Sequence, residues 1–145
     1  MMAAPCRPPR CSPMPDARLQ ALALAFDQAA TLLEPAVNRG YGSMVLADYR
    51  AWVLDGTMQL WRGPGYAAVT EVVNYPRSRV VIVHLAGGEL DALVDADGEL
   101  DKFARVVEAT GIEIIGRRGW VRALRDRGYT EAAVHLYKEV GHGQL

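Results

Sequence analysis

Three groups of side chains in this 145-residue chain could do chemistry. Glu71 lies in the run VTEVV, and His84 sits near the end of the apolar run VVIVHL. A carboxylate and an imidazole are the groups most often used to move protons. Each also has a plainer reading, and it is the preferred one: Glu71 faces solvent on a half-exposed strand, and His84 bonds a neighbouring backbone group. The third group is an arginine cluster, Arg117, Arg118, Arg122, Arg125 and Arg127, around the single acid Asp126 and beside Trp120. Arginine forks grip carboxylates and phosphates bidentately, and an indole can anchor in a partner's pocket. On a helix, Arg118, Arg122 and Arg125 fall at neighbour spacing and share one face. That face reads as a dock for an acidic protein surface or for nucleic acid, or as solvated surface with Trp120 turned into the core. His135 alternates with apolar residues and looks like ordinary surface, and His142 belongs to a GHG tail. Cys6 and Cys11, with no other cysteine and no histidine nearby, fall short of a zinc site.

Bulk properties narrow the field. Half the residues are apolar, enough for one domain with a sizeable core. The formal charge of −1 supplies no global field toward nucleic acid or a membrane surface, so nucleic acid is left open but not indicated. No apolar run approaches the roughly 20 residues that cross a bilayer. Arg7 and Arg10 are not followed by an apolar segment, so the N-terminus does not read as a signal peptide, and a cytosolic setting is expected.

The elements that must position these groups follow from periodicity and punctuation. Residues 1–15 hold five of the eight prolines and read as a disordered leader, with Met14 a candidate natural start. A single domain is expected over residues 16–140 and a flexible tail over 141–145. Leu19, Leu22, Phe26, Ala29 and Leu33 line a helix begun at Asp16 and ended by Pro35. Ser43 is the expected cap of a second helix with Val45, Tyr49, Trp52 and Val53 inward, stopped by Gly56. Thr57–Trp61, Tyr66–Tyr75 and Val80–Leu85 read as strands of an antiparallel meander, joined at Arg62–Gly65 and Pro76–Ser78 and closed by Gly87-Gly88. Glu99–Thr110 predicts a third helix, with Leu100, Phe103, Val106 and Val107 inward, Glu99–Lys102 and Asp101–Arg105 at neighbour spacing, and Gly111 as its stop. Ile112–Ile115 predicts a strand, Gly119–Arg127 a helix and Glu131–Val140 a closing strand. The fold class is α/β (α+β), a mixed sheet with flanking helices in the order α-α-β-β-β-α-β-α-β.

That order, with LRDRGY at Leu124–Tyr129, resembles the GNAT superfamily of N-acetyltransferases from about Asp16 to Val140. The words QLW at Gln59–Trp61, AVTEV at Ala68–Val72 and GRRGW at Gly116–Trp120 are similar to those of small tailed-phage GNAT-like proteins. The resemblance implies a loop rich in Gly and Arg opening the third helix, where backbone N–H groups hold the coenzyme A diphosphate. The matching stretch here, Asp91–Asp101, reads DALVDADGELD, with five carboxylates and no arginine. Like charges there repel a diphosphate by on the order of 1 kcal/mol each at close range. The family's tyrosine general acid falls on Leu124, which cannot donate a proton. The expectation is therefore a non-catalytic GNAT-like phage protein, made in the host cytoplasm and then virion-associated. It would bind no cofactor and would meet other virion or assembly proteins through Arg117, Arg118, Trp120, Arg122 and Arg125. The alternative is an N-acetyltransferase with an atypical acetyl-CoA loop, with Glu71 or His84 as base. A host-directed acetyltransferase mimic is a third reading.

Overall fold

A computed structural model describes residues 16–40 and 42–141. The proline-rich leader, both cysteines, Met14 and His142 lie outside those residues. In chain order the elements are α1 (Asp16–Val37), α2 (Leu46–Leu54), β1 (Met58–Gly63), β2 (Tyr66–Tyr75), β3 (Ser78–Gly88), α3 (Leu90–Val106), β4 (Gly111–Ile114) and α4 (Gly119–Ala123). A single 3-10 turn at Arg125–Arg127 follows α4. The chain is an α/β protein with one mixed sheet, ordered β1-β2-β3-β4. The first three strands form an antiparallel meander, and β4 runs parallel to β3.

Both hairpins are two-residue turns. Gly63 pairs with Tyr66 across Pro64-Gly65, and Tyr75 pairs with Ser78 across Pro76-Arg77. Gly65 has φ +81, the left-handed value that a type II turn asks of the residue after proline. Strand alternation then sorts the sheet into two faces. Ala67, Val69 and Leu85 pack with Met58 against Phe26, Ala29 and Leu33 of α1 and Tyr49 and Val53 of α2. Full burial of side chains such as Phe26 and Leu33 stabilises by roughly 1.5–3 kcal/mol each. Arg50 of α2 binds Asp27 of α1 at 2.9 Å, and Arg62 of β1 donates to the Ala25 carbonyl of α1 at 3.0 Å. The opposite face, with Trp61, Ala68, Thr70, Val83 and Ala86, is covered by α3 and α4. There Trp61 meets Phe103 edge-on at 5.2 Å.

One residue breaks the β2–β3 ladder. Val69 pairs with Leu85 but Thr70 pairs with Val83, so His84 is the extra residue of a bulge.

Several boundaries differ from the sequence expectations. α1 continues through Pro35 to Val37, because proline in a last turn leaves the following bond intact, Asn38 N–H to the Glu34 carbonyl at 3.0 Å. Val45, not Ser43, precedes α2, and its N–H donates to the Asp48 carboxylate at 2.8 Å. That placement leaves the Val45 side chain exposed rather than inward. β1 extends to Gly63 and β3 spans Ser78–Gly88, longer than Val80–Leu85.

The third helix begins at Leu90, nine residues ahead of the expected Glu99, so DALVDADGELD is helix rather than loop. Its inner line is Leu93, Ala96, Leu100 and Ala104, at helical spacing, with Val106 turned out to solvent. Glu99 and Lys102 do pair, at 3.2 Å. The helix stops in a Schellman arrangement: Ala109 N–H to the Ala104 carbonyl at 2.8 Å and Glu108 N–H to the Arg105 carbonyl at 3.1 Å. Glu108 takes the left-handed φ of +59 that Gly111 was expected to supply, while Gly111 opens β4.

The fourth helix is five residues, followed by the 3-10 turn and Gly128 at φ +89. The closing strand Glu131–Val140 is not formed: those residues are exposed and join no ladder. Tyr129 bonds to Asp97 of α3, His135 reaches the wall of the cavity beside His84, and β4 offers only four residues to pair with.

Candidate functional site

β3 and β4 are hydrogen-bonded only from Val80–Gly111 to Val83–Ile114. Beyond that point the bulge at His84 bends β3, and the two strands part. The gap opens into two adjoining cavities of about 680 and 470 Å³ that share Ala36, Arg39, Ala86, Arg117 and Trp120 as walls.

The larger cavity is walled by Arg39, two residues past α1, by Arg117 and Arg118, and by Gly87, Gly88 and Leu90. Because α3 begins at Leu90, the Gly87-Gly88 pair is the junction into its N-terminus. Both glycines are required by packing. A Cβ on Gly87 would run into the Leu32 carbonyl of α1, and one on Gly88, at φ +115, would meet the Gly65 carbonyl. Free N–H groups in the first turn of a helix and arginine guanidinia both favour anions. Asp91 in that turn and Glu89 at the cap set two carboxylates against the three arginines. The remaining acids of DALVDADGELD lie farther along α3. Asp95 pairs with Arg127 at 3.5 Å, Glu99 pairs with Lys102, and Asp97 is buried, accepting from the Tyr129 hydroxyl at 2.6 Å.

The smaller cavity is lined by His84 and Tyr49. Glu71, two positions diagonal to His84 across the ladder, lies on the same face, and its Oε1 is 2.8 Å from His84 Nε2. The two residues treated separately in the sequence thus form one half-buried carboxylate–imidazole pair. It orients the ring, and it could take up a proton arriving at the imidazole. The Tyr49 ring lies 6.4 Å from the His84 ring. Burial, then the nearby Asp48, pushes the Tyr49 phenol up, which keeps it neutral.

The arginine cluster divides. Arg117 and Arg118 wall the cleft, Arg127 pairs with Asp95, and Arg122 and Arg125 are exposed without lining it. Trp120 is half-buried at the junction, where a Cβ on Gly116 would touch its ring. Leu124 is buried and walls an apolar cavity. Sequence reasoning missed Arg39, which lies between the first two expected helices, the Gly87-Gly88 junction, seen only as a strand end, and Tyr49, seen only as core. The 3–4 spacing of Leu93, Ala96 and Leu100 was the available signal for the junction. Among the described residues no cluster of three or more metal-ligating side chains occurs, and no helix is long and apolar enough to cross a membrane.

No protein-family model matches the chain, and no curated protein matches it. Among solved structures it is similar to TTHA1254 of Thermus thermophilus. A point-mutant form of that protein aligns at 16% identity over 84% of this chain and 95% of its own, with a TM-score of 0.58. The wild-type form aligns at 17% identity over 77% and 92%, with a TM-score of 0.50. At these identities the likeness establishes the fold alone.

Proposed function

We propose that the chain is a GNAT-like N-acyltransferase that binds an acyl-CoA in the cleft between β3 and β4. The observation that carries this reading is the convergence on one cleft of three arginines, a helix N-terminus and the Glu71–His84 pair. Arg39, Arg117 and Arg118 would hold the phosphates and leave the thioester inward. The amine nitrogen bonds to the thioester carbonyl carbon as the carbon–sulfur bond breaks. His84, oriented by Glu71, takes the proton released from nitrogen, and the departing thiolate takes up a proton from solvent, so one proton leaves nitrogen and one reaches sulfur. The repulsion expected from Asp91–Asp101 loses most of its force, since those carboxylates are distributed along α3.

Titration with acetyl-CoA tests this. Ligand at a hundredfold over Kd stabilises by about 2.7 kcal/mol, a clear thermal shift. Arg117→Glu with Arg118→Glu should abolish that shift, and Glu71→Gln should slow acetyl transfer to a test amine by roughly 10²–10⁴-fold. Absence of any shift in the wild type sinks the reading.

A second reading keeps the chain as a non-catalytic phage virion or assembly component. It is favoured by Arg122 and Arg125, which are exposed outside the cleft; the phage context comes from the resemblance alone. Mass spectrometry of purified particles, with Arg122→Glu and Arg125→Glu for comparison, decides it: absence from particles rejects it.

A further inference from the structure

Between the sheet and α3 lies a cavity of about 60 Å³ that the proposed acyl transfer does not use. Its walls are Ala68, Val83 and Ala86 on the sheet, Ala96 and Leu100 on α3, and Trp120. The two buried polar residues that border it, Thr70 and Asp97, are both satisfied within the protein. Thr70 Oγ1 accepts from Trp61 Nε1 and donates to Gln59 Oε1, each at 2.8 Å. Asp97 accepts from Tyr129 at 2.6 Å. The lining is otherwise overwhelmingly apolar, so the space suits carbon better than water, which needs two to four polar partners. Ala86 and Trp120 wall this cavity and both cavities of the cleft, and Val83 and Ile114, the last paired residues before the strands part, wall it as well. The void therefore opens behind the point where a thioester would sit. Alanines at three wall positions make the room. On the scale of a cavity of roughly 150 Å³ that accepts benzene, 60 Å³ takes two to three carbons.

We infer that this cavity receives the distal carbons of an acyl group longer than acetyl, a butyryl-sized chain, with Trp120 forming its entrance. The inference rests on the acyl-transfer reading. The test is calorimetric titration of the full chain with coenzyme A, acetyl-CoA and butyryl-CoA. Two further buried methylenes should make butyryl-CoA bind about tenfold more tightly than acetyl-CoA. Ala96→Leu, which fills the void, should bring butyryl-CoA down to the acetyl-CoA affinity. Ala68→Val serves the same purpose if Ala96→Leu fails to fold by circular dichroism. Equal affinities for the two thioesters in the wild type, or a preference that survives filling, overturns the inference while leaving the acyl-CoA site standing. Failure of all three ligands to bind overturns the acyl-transfer reading and this inference with it.

Discussion

The two faces of the sheet are built differently. Toward α1 and α2 the core is close-packed from Phe26, Ala29, Leu33, Tyr49, Val53, Val69 and Leu85. Toward α3 and α4 the layer is thinner: small side chains, an apolar void, and a buried carboxylate and hydroxyl kept only by their hydrogen bonds. The first face holds the fold together, and the second leaves space beside the cleft. The packed face is not sealed where β3 and β4 part: the end of α1, Tyr49 and Leu85 wall the cleft there, so the opening belongs to both faces while the looseness belongs to one.

The contrast can be broken most severely at Leu33. Leu33→Ala should cost roughly 3–5 kcal/mol in denaturant unfolding, whereas Leu100→Ala, already beside a void, should cost only about 1–2 kcal/mol. Equal losses would erase the distinction. Next comes Gly87→Ala, which forces β3 away from the Leu32 carbonyl and should cost about 2–3 kcal/mol by the same measurement. Tyr129→Phe removes the partner of buried Asp97 and should cost about 2 kcal/mol, with faster hydrogen exchange along α3.

The same tyrosine gives a pH signature. Burial first, then the hydrogen bond and charge of Asp97, pushes the Tyr129 phenol up. The folded chain thus keeps a proton that the unfolded chain releases near pH 10. Stability is undiminished by this group below about pH 10 and falls as pH rises above it, and Tyr129→Phe should flatten that decline. The smallest effect is a gain. Glu108→Gly relieves a left-handed residue at the end of α3 and should stabilise by about 1 kcal/mol, read as a higher Tm.

Much of the framework was legible in the chain. The α1 stripe, the Pro64-Gly65 and Pro76-Arg77 turns, and the β-branched runs of β2 and β3 are strong local signals, and each produced its element. Errors arose where two signals competed. Asp91, Asp95 and Asp97 drew attention as a charged loop, although Leu93, Ala96 and Leu100 beneath them keep helical period. Val134 and Leu136 alternate as a strand would, but a strand also needs a ladder, and residues 131–140 join none. The Glu71–His84 pair was not readable as a pair, since it depends on a register shift that no local pattern announces. Arg39 joins Arg117 only through the packing of α1 on β3.

The bulge on β3 carries a last consequence. His84 is supernumerary: without it Val83 and Leu85 would oppose Thr70 and Val69 in unbroken alternation, each keeping its present face. Substituting His84 would remove an imidazole and leave β3 bent. Deleting it would straighten the strand and let β3 continue along β4 past Ile114, zipping the cleft shut while the core stayed as it is. The opening is thus written in the number of residues between two pairing partners rather than in the kind of residue found there.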